Sequence, residues 1–228
     1  MSTSMPTKTR PCVEEPDLFR SAGPTAPRTL GPAAWHLPGF ALAEAPDLLN
    51  AVAMVERQAP LRHMTTPGGR RIGVAMTNCG DLGWVSDRSG YRYQSIDPDS
   101  GETWPAMPPL LAELARRAAA AAGFGGFVPD AGLINRYQPG IGMGLHQDRD
   151  EHDLAAPIVS LSMGMTAMFL FGGLRRGDRP QRIPLQHGDA VVWGGEDRLR
   201  FHGIAPLRGP AHPLMGGQRL NITLRKAG

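Results

Sequence analysis

The chain has 228 residues and a formal charge of only +3, from 24 basic and 21 acidic side chains. That length suits one domain with a sizeable buried core, and two cysteines, Cys12 and Cys79, exclude a small disulfide-stapled scaffold. Glycine (29) and proline (22) favour short strands and turns over a helical bundle, and so small a net charge does not by itself identify a nucleic-acid partner.

Residues 1–34 are rich in Pro, Ser and Thr with little periodic hydrophobicity, and they read as a disordered arm ahead of a single domain over 35–228. Residues 1–12 lack the apolar core of a signal peptide, and a cytoplasmic location is expected. A first helix is predicted over about 46–57, where Leu48, Val52 and Val55 share a face and Asp47 lies in the first turn. Residues 60–107 look irregular, with turn signals at Thr66-Pro67-Gly68-Gly69 and Asn78-Cys79-Gly80. They nevertheless hold Trp84, Tyr91, Tyr93 and Trp104, a composition that suits a binding lid. A second helix is predicted over 108–122, opened by proline, striped by Leu110, Leu111, Leu114 and Ala118, and stopped by Gly123.

From Ala131 the period changes to two. Strands are predicted near 131–138, 143–148, 157–163, 166–171, 181–186, 189–193, 199–204 and 218–226. The most apolar stretch, about 157–174, is broken by Ser160, Ser162 and Thr166, so it reads as two buried strands and no membrane span. Two helices followed by about eight antiparallel strands imply an α+β fold that is mainly β, a double-sheet jelly roll with supporting helices.

Within that pattern, His146-Gln147-Asp148 places two ligand-type side chains at i and i+2 on one strand face. His202, in a later strand, can supply a third. Two histidines and a carboxylate leave three positions of an octahedron open, the arrangement used for non-haem iron(II) and dioxygen. In Arg219-Leu220-Asn221-Ile222-Thr223-Leu224-Arg225, alternation puts Arg219, Asn221, Thr223 and Arg225 on one face and the apolar residues on the other. Asn135 and Tyr137 likewise share a face upstream. Two arginines beside Asn and Tyr donors suit a small dicarboxylate held by charge-assisted bonds.

The segments Asn135-Arg136-Tyr137, His146-Gln147-Asp148-Arg149-Asp150-Glu151, Trp193-Gly194-Gly195-Glu196, His202-Gly203-Ile204 and Arg219 to Arg225 resemble the AlkB family of alkylation-repair dioxygenases. So do Ala75-Met76-Thr77-Asn78-Cys79-Gly80, Gly83-Trp84 and Trp104-Pro105-Ala106-Met107-Pro108, and the similarity covers about 36–227. The resemblance implies a double-stranded β-helix, iron(II) on His146, Asp148 and His202, and 2-oxoglutarate and O2 as co-substrates. It implies a 2-oxoglutarate clamp of Asn135, Tyr137, Arg219, Asn221 and Arg225, with Arg219 and Tyr137 at the distal carboxylate. The activity it implies is oxidative demethylation of bases such as 1-methyladenine and 3-methylcytosine, with release of formaldehyde and succinate.

A methyl on the Watson–Crick edge is reached only after the base leaves the stack. The family pattern then implies a base pocket of Trp84 and His146 on either side of the base, with Met76 and Tyr91 nearby. Asp150, two residues beyond Asp148, faces the pocket if the strand continues and would favour cationic lesions. Thr66, Arg70, Arg175 and Arg176 are candidate phosphate contacts. Arg70 and Leu170 depart from the tyrosine and glutamine that the family pattern leads one to expect. The partner expected is alkylated DNA, single-stranded by preference, with RNA a further substrate, no membrane, and a monomeric enzyme. Two other readings keep parts of this site: an iron/2-oxoglutarate oxygenase acting on protein or a small molecule, and a non-catalytic metal-binding jelly roll.

Overall fold

The computed structural model describes residues 26–228. Two helices form where the apolar spacing requires them. In α1 (Ala45–Gln58), Leu48, Val52 and Val55 are buried, Asp47 lies at the N-terminal end and Arg57 at the C-terminal end, each on the side the helix dipole favours. In α2 (Pro109–Ala121), Leu111, Leu114, Ala115, Ala118 and Ala119 are buried, and the small alanines let the helix lie close on the sheet. Gly123 ends it with φ of 88°, a left-handed conformation that favours glycine.

Seven strands make the larger sheet: β1 (Arg28–Gly31), β2 (Ala34–Leu37), β3 (Ala75–Gly80), β6 (Ala131–Tyr137), β8 (Ile158–Gly164), β11 (Ala190–Trp193) and β13 (Arg219–Arg225). Their order is β1-β2-β11-β8-β13-β6-β3. The smaller sheet, in the order β10-β9-β12-β7, joins β7 (Met143–His146), β9 (Ala167–Phe171), β10 (Gln181–Leu185) and β12 (His202–Ile204). A separate hairpin pairs β4 (Gly83–Asp87) with β5 (Gly90–Gln94). All these pairings are antiparallel.

Alternation along the large sheet sends side chains to two cores. Leu220, Ile222 and Leu224 of β13 join Ile134, Val159, Leu161 and Val192 against the helices. Tyr137, Ile158, Val191 and Trp193 face the small sheet, where Phe169, Phe171, Ile183, Leu185 and Ile204 meet them. This two-sheet arrangement with helices on one outer face is the jelly roll expected. Among the described residues, no helix is long and apolar enough to cross a membrane.

Two expectations need correction. The arm does not extend to 34, since Arg28–Gly31 is an edge strand paired with β2, and residues 1–25 lie outside the described residues. An edge strand with only Leu30 and Gly31 partly covered has almost no apolar period to read. The second correction concerns 60–107, which holds β3, β4 and β5. The turn expected at Asn78-Cys79-Gly80 lies within the strand β3, paired residue by residue with β6.

Its polar side chains look like turn formers in the sequence, but they bond backbone groups outside this strand. Thr77 donates to the Ala59 carbonyl at 2.7 Å. Asn78 donates to the Trp84 carbonyl and accepts from the Trp84 N–H, both at 3.0 Å. A buried asparagine thus fixes where the β4–β5 hairpin, and Trp84 with it, hangs from the main sheet.

Candidate active site

His146 and His202 are opposite one another in the β7–β12 pairing, with ring centroids 4.4 Å apart. Each Nδ1 contacts a backbone carbonyl, of Gly144 at 2.9 Å and of Arg200 at 3.1 Å, so each Nδ1 carries its proton and each Nε2 presents a lone pair. The Asp148 carboxylate closes the group. Its oxygens lie 3.6 Å from His146 Nε2 and 3.7 Å from His202 Nε2, and the three ligand atoms all fall within 4.8 Å of one another. Metal–ligand bonds of about 2.1 Å put neighbouring octahedral ligands about 3 Å apart, so this donor set fits one ion after slight side-chain rotation.

Electrostatics favour the ligand forms. Burial, then the neighbouring His146, lowers the His202 pKa to about 4, leaving a neutral imidazole at pH 7. Burial alone would raise Asp148, but the Arg225 guanidinium and then the two histidines hold it below the usual carboxylate range. Arg225 donates to Asp148 Oδ2 from Nε at 3.0 Å and from Nη2 at 2.5 Å.

β13 carries the second half of the site. Arg219 faces Tyr137 and Asn221 faces Asn135 across the β13–β6 pairing, and with Arg225 at the end of β13 all five residues expected to form the clamp come from two adjacent strands. Arg219 is only 1% exposed. Its Nη2 donates to Ser162 Oγ at 2.9 Å and its guanidinium lies 5.1 Å from the Tyr137 ring centroid. Among the described residues its Nε and Nη1 have no partner. A buried planar fork with one free edge is suited to a carboxylate. Burial also raises the pKa of the Tyr137 hydroxyl, which therefore remains a proton donor. Asn221 is held by Ser160 Oγ at 2.7 Å and the Leu161 carbonyl at 3.1 Å, and its oxygen accepts from Thr223 and Asn135.

One cavity of about 590 Å³ joins the three metal-type ligands, all five clamp residues, and Met76, Trp84, Tyr91 and Asp150. Trp84 stacks on Tyr91 with centroids 5.6 Å apart and planes 14° from parallel. Asp150 reaches this wall although β7 stops at His146, so the strand does not continue as expected. Its Oδ2 accepts the Trp84 indole N–H at 2.9 Å. The phosphate candidates separate. Arg176 lines the cavity, lying over Phe201 at 5.0 Å and donating to the Leu145 carbonyl at 2.9 Å. Arg175 is exposed on the β9–β10 loop, and Thr66 and Arg70 close their own turn; none of the three lines the cavity.

Several residues in or beside the cavity have contacts that were not anticipated. Ser160 and Ser162 alternate with apolar neighbours on β8, directly opposite Thr223 and Asn221, and that alternation was a readable signal. Tyr93, Glu151 and Arg198 are linked to the site only through tertiary contacts, and no spacing in the sequence announces them.

The 2OG-Fe(II) oxygenase superfamily model matches residues 34–225. The chain is 54% identical to the alpha-ketoglutarate-dependent dioxygenase AlkB of Salmonella typhimurium, over 92% of this chain and 97% of that protein. It belongs to the AlkB family of 2OG-Fe(II) oxygenases. The AlkB protein of Escherichia coli is 52% identical over 93% of the chain and 98% of its own length. The solved structure of OsALKBH1 covers 88% of the chain with a TM-score of 0.78, and at 24% identity this likeness shows the shared fold. AlkB-family membership makes the enzyme an iron(II)- and 2-oxoglutarate-dependent dioxygenase, which the donor set and the free edge of Arg219 fit.

Proposed function

We propose that the enzyme removes alkyl groups from damaged nucleic-acid bases by oxidation, with DNA alkylation repair as its role. The observation that carries this reading is the single cavity in which a metal triad, a buried arginine with a free edge and a stacked Trp84–Tyr91 wall converge. His146, Asp148 and His202 hold iron(II), which when bound supplies oxygen activation coupled to decarboxylation of 2-oxoglutarate to succinate and carbon dioxide. Arg219 and Tyr137 grip the distal carboxylate, while Arg225, Asn135 and Asn221 shape the end nearer the triad.

Trp84 and His146 take the extruded base between them, with Met76 beneath and Tyr91 behind the indole. Stacking of this kind contributes about 1–3 kcal/mol per base. The N-methyl carbon is hydroxylated and lost as formaldehyde, and the base nitrogen regains its proton or lone pair. Asp150 adds a negative charge beside the pocket that helps a cationic base and not a neutral one. Single-stranded DNA is the favoured substrate because extrusion from a single strand breaks no base pair. Arg176 at the rim is the residue best placed to meet a phosphate. The enzyme acts as a monomer, and its buried free thiol at Cys79 suits the reducing cytoplasm.

The test is formaldehyde release from an oligonucleotide carrying 1-methyladenine or 3-methylcytosine. Release should require both iron(II) and 2-oxoglutarate and should be abolished in Asp148→Ala. Succinate formation that no methylated oligonucleotide stimulates would instead point to a protein or small-molecule substrate.

A further inference from the structure

Glu151 is only 6% exposed, yet side chains from three separate parts of the fold converge on its carboxylate. Tyr93, on the β4–β5 hairpin, donates its hydroxyl to Oε1 at 2.9 Å. Arg198, in the connection from β11 to β12, pairs with Oε2 at 3.1 Å. Arg225, on β13, pairs with Oε1 at 3.2 Å.

Both arginines also hold Asp148. Arg198 Nη1 donates to the Asp148 carbonyl at 2.6 Å, and Arg225 donates to the Asp148 carboxylate. The contacts therefore close a ring: Asp148 backbone, Arg198, Glu151, Arg225, Asp148 side chain. A surface acid would contribute little to positioning, but a buried one shared by two arginines fixes both in place.

The hairpin enters this ring through Tyr93. Tyr93 stands opposite Trp84 in the β4–β5 pairing, so both point to the same face of the hairpin. Their polar tips reach two consecutive acids, Trp84 to Asp150 and Tyr93 to Glu151. The wall that meets the base and the carboxylate that meets the metal are thus joined through one four-residue segment, 148–151.

We propose that Glu151 is a positioning residue for the metal ligand Asp148, and that the Tyr93–Glu151 bond makes metal affinity depend on the seating of the hairpin. Neither residue is assigned a contact with the metal or the base. The coupling is reciprocal, as any linkage between two binding events must be. This inference rests on the assignment of Asp148 as a metal ligand and not on the identity of the base.

The experiment is a cobalt(II) titration of the metal-free full-length protein, followed by calorimetry and by the visible cobalt bands, with no nucleic acid present. Tyr93→Phe removes one hydroxyl and should weaken cobalt binding about three- to tenfold while shifting the visible bands. Glu151→Gln should weaken it about ten- to a hundredfold, the range seen when a partner of a metal ligand is lost. Ser86→Ala is the control, because it removes a hairpin bond to the Thr65 carbonyl that has no part in the ring; it should bind cobalt as the parent does.

Asp148→Ala separates the two levels of the argument. Parent affinity in Asp148→Ala would overturn the ligand assignment and the inference together. Loss of cobalt there with parent affinity in Tyr93→Phe would overturn the inference alone, as would equal weakening in Ser86→Ala and Tyr93→Phe. Tyr93→Phe keeps the test decisive if Glu151→Gln does not fold.

Discussion

Replacing Arg219 by lysine tests the co-substrate clamp most directly. Lysine keeps the positive charge at that point of β13 but loses the planar fork whose Nε and Nη1 have no partner. At least one charge-assisted hydrogen bond to the distal carboxylate is lost. A bond of that kind contributes about 1.5–3 kcal/mol, so affinity for 2-oxoglutarate should fall roughly tenfold to a hundredfold. Arg219→Ala removes both bonds and the charge, with a loss on the order of a hundredfold or more. The distal carboxylate is remote from the bond being broken, so kcat at saturating 2-oxoglutarate should change far less than KM. Calorimetric titration of 2-oxoglutarate into the manganese-loaded protein gives the affinity, and succinate formation gives the kinetic split. Arg175→Ala, on the exposed loop, should match the parent. An Arg219→Lys affinity within about threefold of the parent would refute the clamp, because no bidentate contact could then have been lost.

Two further outcomes follow from the same geometry. Asp150→Asn keeps an oxygen to accept the Trp84 indole N–H but removes the charge, so repair of 1-methyladenine should fall about three- to fivefold relative to 3-methylthymine on matched oligonucleotides, a modest ratio because the carboxylate is exposed; an equal fall in both would mean a structural role only. His202 titrates near 4 in the folded, metal-free protein and near 6.5 when unfolded, so between those values the unfolded chain binds the extra proton and stability is lost as pH falls. The urea midpoint of the metal-free protein should therefore drop between pH 7 and pH 5, and His202→Asn should lessen that drop; an unchanged pH dependence in the variant would assign it to other groups.

How much of this was readable depended on whether a residue's role is local. β13 announces itself, because strict alternation over seven residues separates Arg219, Asn221, Thr223 and Arg225 from the leucines and isoleucine within one strand. The grouping of His146, Asp148 and His202 was readable for a similar reason: His146 and Asp148 are two residues apart, and His202 lies in a stretch predicted as a strand. β3 was not readable. Its Thr77 and Asn78 look like turn residues until the backbone groups they bind, on Ala59 and Trp84, are brought beside them. Glu151 was hidden more thoroughly, because its three partners come from positions 93, 198 and 225. A chain scan sees only another acid in an acidic run. Thr66, Arg70 and Arg175 are polar residues in loops that do not line the cavity, and their sequence context gave no measure of their distance from it.

The interleaving on β13 sets how the enzyme tolerates changes in chain length. Every residue from Arg219 to Arg225 is buried, the odd-numbered ones toward the cavity and the even-numbered ones toward the helices. Removing one residue inside this strand would exchange the two faces from that point on, driving guanidinium groups into the layer of leucine and alanine and leucines into the cavity. The exposed loop before it, which includes Arg208, Gly209 and Pro210, has no such phase to keep. Single deletions there should leave an active protein, while the same deletion a few residues later should leave none. The placing of these four polar side chains toward the cavity is thus held by the parity of one strand.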